Sequence, residues 1–122
     1  MPYDPNNIFA RILRGEIPCT KLYEDDFALA FPDISPQAPT HILVIPKGPY
    51  TDFAAFSAHA SEAEIVGFMR ALGKVVEFSG ASDSGFRLIS NNGINGGQEV
   101  PHFHVHVLGG RALGRMLAKE NI

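Results

Sequence analysis

Three histidines stand at alternate positions of one short run, P-H-F-H-V-H-V-L-G-G, as His102, His104 and His106. Five histidines placed at random in 122 residues would give about 0.008 runs of the form H-x-H-x-H, so composition alone marks a site. In an extended backbone alternate side chains share a face about 7 Å apart. The three imidazoles therefore line one side, while Phe103, Val105 and Val107 face the other. Such a polar face is costly unless the rings find partners. A metal is one solution, with His41 or a distant carboxylate as the remaining ligand. Ordinary hydrogen-bonded core or surface histidines are a second. A third is nucleophilic catalysis, since a neutral imidazole attacks well at pH 7 and its phosphorylated adduct leaves well. The nucleophilic ring must keep one nitrogen bare while a backbone carbonyl fixes the other. Immediately upstream lies N-N-G-I-N-G-G-Q, Asn91–Gln98, where the backbone can come close to an anion. Glycines beside a histidine strand fit phosphoryl chemistry better than metal hydrolysis. All three solutions stay open on these residues alone.

The elements that must hold this run are short. Ile8, Phe9, Ile12 and Leu13 follow Asn6-Asn7 and precede Gly15, which predicts a small amphipathic helix. Thr20–Glu24 and Phe27–Phe31 are β-type runs around Asp25-Asp26, a turn. Asp33–Thr40 reads as a structured loop and His41–Ile45 as a buried strand closed by Pro46. Thr51–Ala60 is small and loop-like, with His59 on the surface. Ser61–Glu64 has the S-x-x-E form that opens a helix, and apolar residues at helical spacing carry it to Gly80. Phe86–Ile89 and Pro101–Leu108 are strands around the glycine loop. Five strands and one main helix predict an α+β domain with a mainly antiparallel five-stranded sheet, one long helix and a short N-terminal helix.

Composition narrows the function. A chain of 122 residues has room for one domain, read as residues 1–122 with about 111–122 as a C-terminal tail. A net charge of −3 without clustered Lys/Arg argues against nucleic acid as partner, while a single nucleotide held by backbone N–H groups remains possible. Cys19 is the only cysteine, which removes every C-x-x-C motif and fits a packing role in a reducing compartment. With no membrane-length apolar run, the chain is read as cytoplasmic.

Gly96–Gly110, G-G-Q-E-V-P-H-F-H-V-H-V-L-G-G, resembles the histidine triad signature, three histidines alternating with apolar residues. Asp33–Lys47, D-I-S-P-Q-A-P-T-H-I-L-V-I-P-K, is similar to the second hallmark segment of the Hint branch of that family. Ile8–Pro18 and Tyr23–Asp26 resemble its opening, and the tail L-G-G-R-A-L-G-R-M-L-A looks like bacterial members. The likeness runs from about residue 6 to 118.

The resemblance implies a homodimer that hydrolyses nucleoside 5′-phosphoramidates, typically purine, with neither cofactor nor metal. It makes His104 the nucleophile, with His102 and His106 flanking it on the phosphate and His41 relaying the leaving-group proton. Asp33 would bind the ribose hydroxyls. Ile8, Phe9, Ile12, Phe31, Ile34 and Val100 would line the base pocket. Asn91, Gly97, Gln98 and the backbone of Glu99 would hold the α-phosphate. Two residues depart from the family pattern. Glu99 stands where animal relatives carry a hydroxyl and must donate only through its N–H; Pro101 stands where an aromatic is common and removes a strand donor. A dinucleoside polyphosphate hydrolase, a nucleotidylyltransferase or a nucleotide-binding regulatory protein with little turnover are the alternatives. The long helix and Gly80–Leu88 are the expected dimer surface.

Overall fold

The computed structural model describes residues 2–118; the last residues of the expected tail, 119–122, lie outside the described residues. Helix α1, Ile8–Leu13, starts where Asn7 Oδ1 accepts the Ala10 N–H at 2.9 Å, and it buries Phe9, Ala10 and Ile12. Strands β1 (Tyr23–Glu24) and β2 (Ala28–Pro32) form the expected hairpin. Its turn is chemical rather than glycine-based, because Asp25 Oδ1 accepts the N–H groups of both Phe27 and Ala28. Strand β3, Thr40–Pro46, follows the proline-containing loop.

After β3 come α2 (Phe53–His59), α3 (Glu62–Phe78), β4 (Phe86–Ile89), α4 (Gly93–Gly96) and β5 (Val105–Gly109). The five strands make one sheet in the order β1-β2-β3-β5-β4, every neighbouring pair antiparallel. This is the predicted α+β architecture. Among the described residues no helix is long and apolar enough to cross a membrane.

Period-two alternation splits the sheet into two covered faces. Ile42, Val44, Val105 and Val107 point to α3, which meets them with Phe68, Leu72, Val75 and Val76. Leu43 and Ile45 point the other way, into a second cluster with Phe9, Ile12, Leu29 and Phe31. The histidine side of β5 lies on this second face, under α1. Helix α3 is fixed at its start by a complete capping box, Ser61 with Glu64. Its partner cluster is strongly aromatic, with Phe56, Phe68 and Phe103 in mutual ring contact.

Three segments differ from the sequence expectation. Thr51–Ala60 holds a helix, since Asp52 Oδ1 caps it through the Ala55 N–H and Phe56 anchors it in the core. His59 is exposed in its last turn. The glycine loop contains one helical turn, α4, closed by Gly97 at φ +72°. Strand β5 begins at Val105 rather than Pro101. Pro101 has no N–H to give a ladder, and the next two N–H groups bond Val100 and Tyr50 carbonyls instead of a neighbouring strand. Side-chain alternation survives this, with Phe103 buried in the α3-side core.

Candidate active site

His41 on β3 and His106 on β5 come together because Leu43 pairs with His106 and His41 with Leu108 across the two strands. Their rings are hydrogen-bonded, His41 Nε2 to His106 Nδ1 at 2.9 Å. His104 lies next along the chain, its ring centroid 5.2 Å from that of His106 and 5.0 Å from that of Phe9. Thus four histidines from two segments converge on the α1 face. His41 and His104 are buried, and His106 is half-buried.

The hydrogen-bond partners assign each proton. A carbonyl only accepts, so His104 Nδ1 carries the hydrogen it gives to the His102 carbonyl at 2.7 Å. In the neutral ring, His104 Nε2 is then a bare lone pair. The Gln37 N–H donates to His41 Nδ1 at 3.0 Å, which puts the His41 proton on Nε2 and directs it to His106 Nδ1. His106 is left with Nε2–H as its free donor. A nucleophilic nitrogen and a donor nitrogen therefore stand side by side on adjacent rings.

Burial disfavours the charged form of His104 and of His106. Burial is the leading cause that lowers the pKa of His104, against a raising effect from the bond to the His102 carbonyl and from Asp33 and Glu99. His106 is pushed down to about 4, first by burial and then by the neighbouring His104 and His41. Asp33 Oδ2 lies 3.4 Å from His41 Nε2, while Oδ1 accepts the Ser35 N–H at 2.8 Å. The carboxylate is thus a turn residue and a neighbour of the histidine pair at once.

His102 corrects its expected place on the phosphate. Its side chain is fully buried and both ring nitrogens are taken: Nε2 donates to the Pro46 carbonyl at 2.8 Å and Nδ1 faces the Tyr3 hydroxyl at 2.7 Å. No nitrogen is left for a ligand. Tyr3 and the Pro46 carbonyl were missed by sequence reasoning, and nothing in their local sequence marks them.

The remaining expected residues divide. Phe9, Ile12 and Phe31 are buried in one cluster with Val100 packed against it, whereas Ile8 is 45% and Ile34 97% exposed. Asn91 lines a cavity of about 240 Å³ together with His41, His106, Gln37, Arg87 and Arg111. The glycine loop is more committed than expected. The Gly97 N–H bonds the Ile94 carbonyl and the Gln98 N–H the Gly93 carbonyl, both closing α4. The Gln98 side chain ties this turn to Thr51 and Val100. Gly97 and Gln98 therefore shape the loop. Among the described residues, the Asn91 side chain and the Glu99 N–H have no such internal bond. Glu99 is exposed.

Among the described residues a metal has one candidate seat. Asp33, His41 and His106 offer ligand atoms all within 4.8 Å of one another. His41 Nε2–H already donates to the lone pair of His106 Nδ1, so that proton would have to leave before a cation could bind between the two rings.

A family model described as HIT domain matches residues 14–113. A 13.2 kDa HIT-like protein of Azospirillum brasilense is 62% identical over 117 residues, 96% of each chain. The purine nucleoside phosphoramidase of Escherichia coli K12 is 46% identical over 115 residues, 94% of this chain and 96% of that one. Among solved structures, a histidine triad protein from Clostridium difficile superposes with a TM-score of 0.82 at 42% identity, covering 95% of this chain and all of that chain.

Proposed function

This chain belongs to the HIT family, and we propose that it hydrolyses nucleoside 5′-phosphoramidates through a nucleotidyl-histidine formed on His104. One observation carries the reading: His104 Nε2 is bare because Nδ1–H is spent on the His102 carbonyl. The similarity to a purine nucleoside phosphoramidase supports the choice of substrate.

In the first step His104 Nε2 attacks the α-phosphorus, the N–P bond forms and the P–N bond to the amine breaks. The His102 carbonyl stabilises the positive charge that the substituted ring acquires. The amine takes its proton from the His41–His106 pair, where the Asp33 carboxylate and the charged phosphoryl oxygens favour an extra proton. Water then attacks phosphorus, the P–N bond to His104 breaks, and the pair regains its proton. Asn91 and the Glu99 N–H would donate to the phosphoryl oxygens. Asp33 suits the ribose diol. The base would lie over Phe9, Phe31 and Val100, with Ile12 beneath, and cover the exposed Ile8 and Ile34. The pocket takes a single purine nucleotide, the scheme needs no cofactor, and residues 1–122 act as one cytoplasmic domain.

A substrate panel under chelator tests this: adenosine phosphoramidate against a diadenosine polyphosphate, with bound metal assayed in parallel. Phosphoramidate turnover unchanged by chelation is expected. Faster diadenosine turnover would assign the other branch of the chemistry. Loss of turnover with release of stoichiometric zinc would instead favour the Asp33–His41–His106 seat as a metal centre.

We also propose that the chain works as a homodimer joined at β4. Among the described residues this strand is a sheet edge, with one side of its backbone unpaired. Beside it an apolar hollow of about 400 Å³ runs between α2, α3 and β4, rimmed by the half-exposed Phe53, Met69 and Leu88. Leu88→Lys should convert a dimer to a monomer in sedimentation velocity; a wild-type chain that sediments as a monomer refutes the interface.

A further inference from the structure

The segment before α1 carries no residue of the proposed chemistry, yet it is tightly held. Asp4 accepts N–H groups from Asn6 and Asn7, the Asn7 side chain returns to the Asp4 carbonyl, and Arg14 clasps the Pro5 carbonyl. This folds residues 3–7 back against α1 and lays Tyr3 on His102. The two rings meet edge to face, with centroids 5.7 Å apart and planes at 70°.

The hydroxyl's direction follows from the other side of the ring. The Pro46 carbonyl can only accept, so the neutral His102 carries its proton on Nε2, and Nδ1 is a lone pair. The Tyr3 O–H must therefore donate to Nδ1. With both nitrogens held, the His102 ring is pinned between the N-terminal segment and the end of β3. The backbone of the same residue supplies the carbonyl that accepts His104 Nδ1–H. Pro101 leaves this stretch outside the β5 ladder, so ring anchoring takes over what strand pairing would otherwise do for residues 102–104.

We propose that Tyr3 is a positioning residue: by fixing the His102 ring it aims the His102 carbonyl at His104 and so holds the nucleophile in the tautomer with Nε2 bare. This rests on the reading of His104 as nucleophile for its kinetic consequence, and on hydrogen bonding alone for its structural one. Without the hydroxyl, a fully buried acceptor is left unpaired and the ring is free to turn away from Pro46. A misplacement of about 1 Å at a reacting group costs up to about 10²-fold in rate.

The test is Tyr3→Phe in the full chain, with steady-state kinetics and ¹⁵N-histidine NMR at pH 7. The variant should lose about tenfold or more in kcat with KM changed less than about twofold, and its His104 signals should move from one tautomer to a mixture. Unchanged kcat with an unchanged His104 tautomer would overturn the proposal. Should the variant not fold, the wild-type spectrum decides: His102 protonated on Nε2, with Nδ1 a hydrogen-bonded acceptor, is required, and the opposite tautomer refutes it. An enzyme inactive on every phosphoramidate would sink the functional reading while leaving this spectral arm intact.

Discussion

Replacing His104 by Asn should abolish phosphoramidate turnover, by at least about a thousandfold, while adenosine monophosphate still binds. The two halves of this result have different causes. Asn retains an N–H able to reach the His102 carbonyl where His104 Nδ1 does now, so the local backbone keeps its bond. It has no basic nitrogen to form the P–N bond, so the first step fails. Nucleotide binding survives because the base cluster of Phe9, Ile12 and Phe31, the Asp33 carboxylate and Asn91 are untouched. Rapid quench followed by mass spectrometry should find an adenylyl adduct on the wild type and none on His104→Asn or His104→Gly. A variant that keeps turnover, or an adduct on His106, would remove His104 from the nucleophile's role. The same substitution at His106 should behave differently, since that ring offers Nε2–H as a donor and keeps its lone pair turned to His41.

The alternation of residues 102–107 was readable because strand geometry depends only on the neighbouring residues. Phe103, Val105 and Val107 do face α3, and His104 and His106 face the other way. Local chemistry was equally legible at Asn7, Asp25 and Ser61, where a side chain satisfies backbone groups two or three residues away. Helix α2 was not, because F-A-A-F-S-A-H is too short for a period and its signal is the single cap Asp52. The start of β5 was obscured in another way: Pro101 signalled a lost donor, but which carbonyls would take the next N–H groups depends on the placement of Tyr50. The deepest gap is His102. Its partners lie 99 and 56 residues away in the chain, and only the folded sheet brings the Tyr3 hydroxyl and the Pro46 carbonyl to opposite edges of one ring. Spacing could place three histidines together. It could not say that one of them is structural.

That structural histidine sets the second large effect, a loss of stability in mild acid. Burial pushes the His102 pKa from 6.5 down to about 4, only partly opposed by the bond to the Pro46 carbonyl. The unfolded chain has no such burial and takes up its proton near pH 6.5. Between those two values the unfolded state binds more protons than the native one, so stability rises with pH there. The contribution is complete above about pH 6.5 and is lost as pH falls toward about 4. For His102 alone the difference corresponds to about 3 kcal/mol, a large part of the stability of a small domain. His106 titrates in the same direction and window, but it is half-buried and solvent screens its share. Urea unfolding from pH 7.5 to 4 should therefore show a falling midpoint with a steep section below pH 6.5. The check is His102→Gln, which removes the titrating group. The variant should be less stable than wild type at pH 7, where its hydrogen bonds fit poorly, yet its stability should depend less on pH between 6.5 and 4. A wild-type profile flat over that window would show that His102 is protonated and paired in the native protein, and the Tyr3 hydroxyl would then have to accept from His102 Nδ1 instead of donating to it.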